Sequence, residues 1–438
     1  MRSLPHIATR SGAAVLILAL SILAACNDKI VVAPPSVDPG GGPSTTTVDV
    51  LFCAGDGVPA WVAFQDGDGP WTQTTPTIDG HHAIYRHSFS ANRAGMAVGQ
   101  RFSVGLTSLN VTYGTPAELP GFGNTFFGDC GASAPKALLG TIAGLDDDHV
   151  AAITGGFSSA FIFPGDRSFV LSDLLDGPQT ILATLTNRAN DLPVLDKLIV
   201  RRTPSLPDST AIPVLDFDSD EAFAPAVANV TIDGLAPEGA QILTKLVTAN
   251  SQNIISFLSN SATAVTRSYN ALPESKLAPT DLQELIVSGH TTAELTIRSA
   301  AMYFRAPVDQ TIALGPAAAA PAISVTSRAP ALRLRSVIPP QTVYDRFASM
   351  SYQQGSTLVS VAMTAQYSSL SNRGYDLSIP DFSGVAGFDP EWALRANATE
   401  GIFWTETRIG GTLGFGASAV PTSGAFSRSA TRNGTFTP

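Results

Sequence analysis

The sequence predicts an all-β protein, a tandem series of β-sandwich domains behind a leader and a flexible tether. Three observations carry that expectation. Glycine (38) and proline (31) recur too often in 438 residues for long uninterrupted helices. Short runs of alternating apolar and polar residues repeat from residue 48 onward, the period of a half-buried strand. Turn dipeptides such as Asp66-Gly67 and Asp68-Gly69 punctuate those runs. Only 14% of residues are charged, against about 25% in ordinary soluble domains. The 44% that are hydrophobic can fill several cores. A net charge of −10 argues against nucleic acid or anionic lipid as a partner, because both require a basic face.

The first element is not part of the body. Residues 1–25 contain Arg2 and Arg10, no acid, and the apolar run AAVLILALSILAA. Basic, then apolar, then small is the order of a secretory signal. The run is shorter than the ~20 residues that span a bilayer. It ends in Leu23-Ala24-Ala25-Cys26, which resembles the lipobox of bacterial lipoproteins. The resemblance implies that Cys26 is diacylated through its sulfur and becomes the first mature residue. Two or three acyl chains, at about 0.8 kcal/mol per buried methylene, hold a protein on a membrane. Asn27, rather than an aspartate, follows the cysteine, which leans toward the outer membrane over the inner one. Removing Arg2 and Arg10 with the leader takes the net charge from −10 to −12. The stretch 33–47, APPSVDPGGGPSTTT, has nothing to bury and reads as a tether.

With Cys26 assigned to lipid, Cys53 and Cys130 remain as an even pair in an oxidising compartment, and a disulfide between them is expected. Its closure of a long loop would contribute roughly 4.5 kcal/mol at most on the chain-entropy model. No Cys-x-x-Cys or Cys/His cluster has zinc spacing.

Four β-rich segments follow the tether. The first, 48–132, holds VDVLFC, AWVAFQ, WTQTTP, HAIYRHSFS and AVGQRFSVGLTSLNVT, an Ig-like pattern of short strands and tight turns. The second, 133–205, carries KALLGTIAGL, SAFIFPG, SFVLSDLLDGPQTILATL and KLIVRR. Its stretch GTIAG at 140–144, Phe169-Val170-Leu171, and DGPQTILA at 176–183 resemble the prealbumin-like sandwich of carboxypeptidase regulatory domains. That resemblance covers about 65 residues and implies a fold, not an activity. In the third segment, 206–320, ILTKLV and LAPTDLQELIV are ambiguous, since Ile242, Leu243, Leu246 and Val247 also have helix spacing. PAAAAPA at 316–322 reads as a linker or domain edge. The last segment, 321–438, holds ALRLRSV, STLVSVAMTAQY, YDLSIPDF and EGIFWTETR, and its polar end from Ser427 is expected to fray.

Catalytic patterns are missing: no G-x-S-x-G, Walker loop, G-x-G-x-x-G or H-E-x-x-H occurs. No cofactor is expected. Candidate binding residues are Trp71, Asp66 and Asp68 in the turn QDGDGPW. An exposed indole can stack on a sugar ring, and alternate oxygens can converge on a hard cation. The bland alternatives are a packed ring and a plain hairpin turn. His81, His82 and His87, and the run Asp146-Asp147-Asp148, read as ordinary surface groups, and Trp61 reads as core.

These features together predict a non-enzymatic, membrane-anchored envelope lipoprotein whose sandwich modules serve surface structure, adhesion or ligand binding. Its expected partners are the membrane, through the N-terminal lipid, and an envelope glycan or surface protein. Its body is expected in the periplasm or at the cell surface. One alternative is a glycan-active or other hydrolase using carboxylates such as Asp216, Asp218, Asp220 and Glu221. Another is an outer-membrane β-barrel, suggested by the glycine-rich alternation at 412–420.

Overall fold

A computed structural model describes residues 45–54, 58–102, 105–123, 136–156, 158–174, 178–189, 193–203, 210–235, 239–248, 251–260, 265–291, 296–371, 374–396, 400–413 and 421–438. The leader, Cys26, most of the tether, and Cys130 lie outside the described residues. The regular structure is nearly all strand, as the composition and alternation predict, in four groups along the chain.

The first group contains β1 (Thr46–Cys53), β2 (Trp61–Asp66), β3 (Trp71–Gln73), β4 (Thr77–Asp79), β5 (His82–Phe89), β6 (Ala94–Arg101) and β7 (Thr107–Gly114), followed by the single turn α1 (Pro120–Gly123). A sheet β1-β5-β4 faces the run β7-β6-β2-β3. Phe52, Phe64, Tyr85, Phe89 and Met96 fill the space between them.

The second group is β8 (Lys136–Ala143), β9 (His149–Gly155), β10 (Ser158–Ile162), β11 (Ser168–Leu174), β12 (Gln179–Asn187), β13 (Val194–Thr203), β14 (Thr210–Ala211) and β15 (Leu215–Asp216). Sheets β10-β9-β12-β13 and β11-β8-β14 enclose Leu138, Ile153, Leu171, Ile181 and Phe217. Both β14 and β15 pair parallel with β8, so this sandwich extends past residue 205, where the sequence places its end.

The third group is β16 (Ala226–Asp233), β17 (Ala240–Val247), β18 (Gln252–Asn260), β19 (Thr266–Ala271), β20 (Leu282–Thr291), β21 (Thr296–Phe304) and β22 (Gln310–Ala313). The two ambiguous segments are strands: ILTKLV lies in β17 and LQELIV in β20. Ile242 and Leu246 point to one face with Thr244 between them, so period two wins over the helical spacing.

The fourth group is β23 (Ala322–Ser327), β24 (Arg333–Ile338), β25 (Phe347–Gln354), β26 (Thr357–Thr364), α2 (Ala365–Ser371), β27 (Tyr375–Ser378), β28 (Ile402–Gly411) and β29 (Phe426–Phe436). The C-terminal stretch expected to fray is therefore a strand, held between β28 and β21. Its many Ser, Thr and Asn residues misled because one face of this strand is not apolar.

Groups one, three and four are not beads. Their larger sheets fuse edge to edge into one sheet of twelve strands, β18-β17-β20-β21-β29-β28-β25-β26-β7-β6-β2-β3. The joints are β21 with β29, antiparallel, and β26 with β7, parallel. At about 4.8 Å between neighbours the sheet is roughly 50 Å wide. Two three-stranded sheets, β19-β16-β22 and β23-β24-β27, cover its inner face through separate cores. Around β2 and β6 both faces are covered: Trp61, Ala63 and Ala97 enter the fourth group's core, while Val62, Phe64 and Met96 enter the first's. That explains the nearly continuous apolar run in AWVAF. The second group docks through Leu182 and Leu198 against Leu246, Ile255 and Leu272 of the third.

Candidate functional site

The residues singled out by the sequence lie in three places. Asp66 accepts from the Ser90 amide at 2.9 Å, the Ser90 hydroxyl at 2.5 Å and the Ala91 amide at 2.8 Å. Burial would raise its pKa, but these hydrogen bonds outweigh it and hold the carboxyl below the ordinary range. Asp68 pairs with Arg93 at 2.6 Å. Both carboxylates thus brace the hairpin, and among the described residues no group of three or more His, Cys, Asp or Glu is placed to hold a metal ion. Trp71 is half-buried, edge-on to Phe382 at 5.0 Å and Tyr113 at 6.1 Å, inside an aromatic cluster that includes Trp61 and Trp392. Gly95 leaves room for it, since a Cβ there would come within 2.8 Å of the indole. Cys53 ends β1, and its expected partner Cys130 falls outside the described residues.

The other titratable groups are also engaged. His81 lies in the turn before β5, so it shares no strand face with His87, which stacks on Phe64 at 5.0 Å. Burial lowers the His87 pKa, with Asp66 opposing. In the acidic stretch of the second group, Glu221 is bonded by Arg201, and Asp218 lies 3.4 Å from Lys197. Asp216 accepts the Asp218 amide at 3.0 Å. Sequence reasoning missed His149, whose Nδ1 is 2.5 Å from Asp146 and Nε2 2.9 Å from Asp196.

Two larger constellations come from topology, not from sequence neighbours. The first is a seam of arginines. Residues 313–319, from the end of β22 into the stretch 316–322 read as a linker, cross the inner face of the sheet over β21, β29 and β28 as a strap. Successive strap carbonyls accept from below: Ala313 from Arg428 Nε at 3.0 Å, Gly315 from Arg298 Nη1 at 3.1 Å, and Pro316 from the Tyr344 hydroxyl at 2.6 Å. Farther along, Ala317 accepts from Gln341 at 2.9 Å, Ala318 from Arg432 at 3.0 Å and Ala319 from Arg408 at 2.6 Å. Past Leu314, whose amide still bonds Asp233, the strap is glycine, proline and alanine, with no polar side chain of its own and no paired strand. Its buried carbonyls need donors, and the guanidinium fork supplies several at once. Gly315 lets the strap descend, because a Cβ there would collide with the Tyr344 hydroxyl. Beneath, Arg408 is 1% exposed and bonded to Glu406, which is 0% exposed. Burial pushes the Glu406 carboxyl above the usual carboxylate range, against the pull of Arg408 and Arg432.

The second constellation is the opposite face of the same sheet. Rows of paired residues cross β29, β28, β25, β26 and β7: Asn433, Thr405, Ser351, Ser360 and Asn110 form one row, and Thr431, Thr407, Ser349, Ala362 and Thr112 the next. These rows contain no charge. Their hydroxyls and amides are held in order by one another, Thr405 to Asn433 at 2.9 Å, Ser351 to Ser360 at 2.9 Å and Thr407 to Thr431 at 3.3 Å. Phe403, 38% exposed, stands on this face two residues before Thr405 and opposite Gln353 and Thr435. The signal available in the sequence was the alternation of Ser, Thr and Asn in FASMSYQQ, IFWTETR and FSRSATRN, which gives the face once the strands are paired.

No protein-family model and no curated protein matches this chain. Among the described residues no helix is long and apolar enough to cross a membrane.

Proposed function

We propose that this chain is a non-enzymatic, lipid-anchored lipoprotein of the bacterial cell envelope whose body holds a neutral glycan on the hydroxyl face of its central sheet. One observation carries the binding half of this reading: a broad, uncharged face of ordered hydroxyl and amide side chains with the exposed ring of Phe403 at its margin. Each hydroxyl both donates and accepts, which suits the hydroxyls of a sugar. The ring offers an apolar surface to the C–H side of a pyranose. A charged partner would find no counter-charge in these rows and would lose solvation without return.

The anchoring half rests on the lipobox-like LAAC at 23–26 and the tether that follows it. A disulfide between Cys53 and Cys130 belongs to the same reading. It is supported by the even pair that remains once Cys26 is assigned to lipid.

The decisive experiment is a screen of the mature protein against neutral and charged envelope glycans, repeated with Phe403→Ala and Trp71→Ala. Binding to neutral glycans that drops at least tenfold in Phe403→Ala and persists in Trp71→Ala supports the assignment. Binding only to charged polymers, or unaffected by Phe403→Ala, overturns it. Palmitate labelling that survives Cys26→Ser would overturn the anchor. An alkylation mass shift that does not depend on reductant would overturn the disulfide.

A further inference from the structure

The arginine seam carries more cationic donors than the strap uses. Four guanidiniums, Arg298, Arg408, Arg428 and Arg432, project from the inner face of three adjacent strands, where Arg298 is in register with Arg408 across Ala430 and Arg432 lies beside Glu406. In a chain of net charge −10 this is an excess of the opposite sign. Glu406 is the one carboxylate paired with the group, and it serves Arg408. Among the described residues Arg298, Arg428 and Arg432 make no ion pair, and each gives a single hydrogen bond to a strap carbonyl. A guanidinium has five N–H donors, so most of their capacity is unspent. Arg298 is 8% exposed, and its buried Nε has no acceptor. An unpartnered buried donor of a charged group is costly, and the single carboxylate of Glu406, beside Arg408 and Arg432, faces all four guanidiniums, so the seam keeps an excess of positive charge. Arg428 and Arg432 are only half-buried, so the seam is open to solvent along the strap's margin.

We propose that this seam is a binding site for an oxyanion, a phosphate group above all, held by Arg298, Arg428 and Arg432 at the edge of the strap. Guanidinium forks match phosphate oxygens in pairs. The free ion and a sugar phosphate present the same group, and the two are separated by experiment. This site lies on the face of the sheet opposite the hydroxyl rows, so its fate is independent of the glycan reading.

The test is isothermal titration of the full mature protein with inorganic phosphate and, separately, with glucose 1-phosphate, at an ionic strength fixed with sodium chloride. Saturable binding of one equivalent, weakened at least tenfold in Arg432→Gln and unchanged in the exposed control Arg346→Gln, is the expected result. Tighter binding of the sugar phosphate than of inorganic phosphate assigns the sugar-linked source, and the reverse assigns the free ion. If Arg432→Gln does not fold, phosphorus NMR line broadening of phosphate on the wild-type protein, and its reversal by sulfate but not chloride, reads the same site. Absence of saturable binding to the wild-type protein, or equal competition by chloride, leaves the arginines as strap donors alone and overturns the proposal.

Discussion

Arg408 and Glu406 are a charge pair removed almost wholly from water, and the pair stands because each of the three guanidinium nitrogens has an acceptor. Besides Glu406 it reaches Pro339 O at 2.7 Å, Gln341 Oε1 at 2.5 Å and Ala319 O at 2.6 Å. Taking away one partner of such a pair strands the other, which typically costs about 3–5 kcal/mol. Glu406→Ala is therefore expected to lower the free energy of unfolding in urea by that amount, and a loss under ~1 kcal/mol would show that the pair is not buried as described. His149 makes a different kind of prediction. Burial pushes its pKa down, but the hydrogen bonds with Asp146 and Asp196 outweigh it and hold the pKa above 6.5. A raised folded pKa means that this stabilisation is complete below about pH 6.5 and is lost as pH climbs through the folded value. The difference in Tm between wild type and His149→Gln should thus be largest in mild acid and close in mild alkali; a pH-independent difference would refute it. Neither residue was legible beforehand. Nothing in TETR and FSRSATR marks the arginines, because their acceptors are main-chain carbonyls some 90 to 115 residues away.

At the scale of elements, the strap and the parallel joint decide how the groups combine. Gly410 lies where the 339–346 segment crosses β28, and a Cβ there would collide with the Val343 carbonyl. Gly410→Ala is expected to destabilise the protein by about 1–3 kcal/mol through this overpacking, read as a lower midpoint in urea with an unchanged slope. The joint of β7 with β26 is packed by Leu109, Val111, Val359 and Val361. Leu109→Ala should cost about 2–5 kcal/mol as a buried leucine truncation, and the loss should appear in the global transition, not as early release of the first group alone. Individual strands were readable from alternation, even where a helix competed, as in β17. Their partners were not. Period two marks a face but carries no address, so nothing in TSLNVTYG names TLVSVAMT as its neighbour.

For the molecule as a whole, the fused sheet changes what a domain means. Four sandwiches in tandem would melt in as many steps as they have separate cores. Here groups one, three and four share one sheet, and the second shares an apolar contact with the third. Calorimetry on the mature protein is expected to show one cooperative transition for groups one, three and four, and resolved independent melting of residues 46–123 would contradict it. The all-β class was legible at this scale, since it follows from the turn residues and alternation that the whole chain displays. The fusion was not, because the alternation of a strand marks its faces and says nothing of which distant edge it pairs with. The parallel joint also sets a timetable. The edge of β7 at Thr107–Gly114 is closed by Thr357–Thr364, some 250 residues later. A chain exported from its amino end would bring the first of these strands across the membrane long before the second. Through that interval the β7 edge offers unpaired amides and carbonyls to any passing strand, so the aggregation-exposed phase of folding lasts until the last quarter of the chain can reach the first.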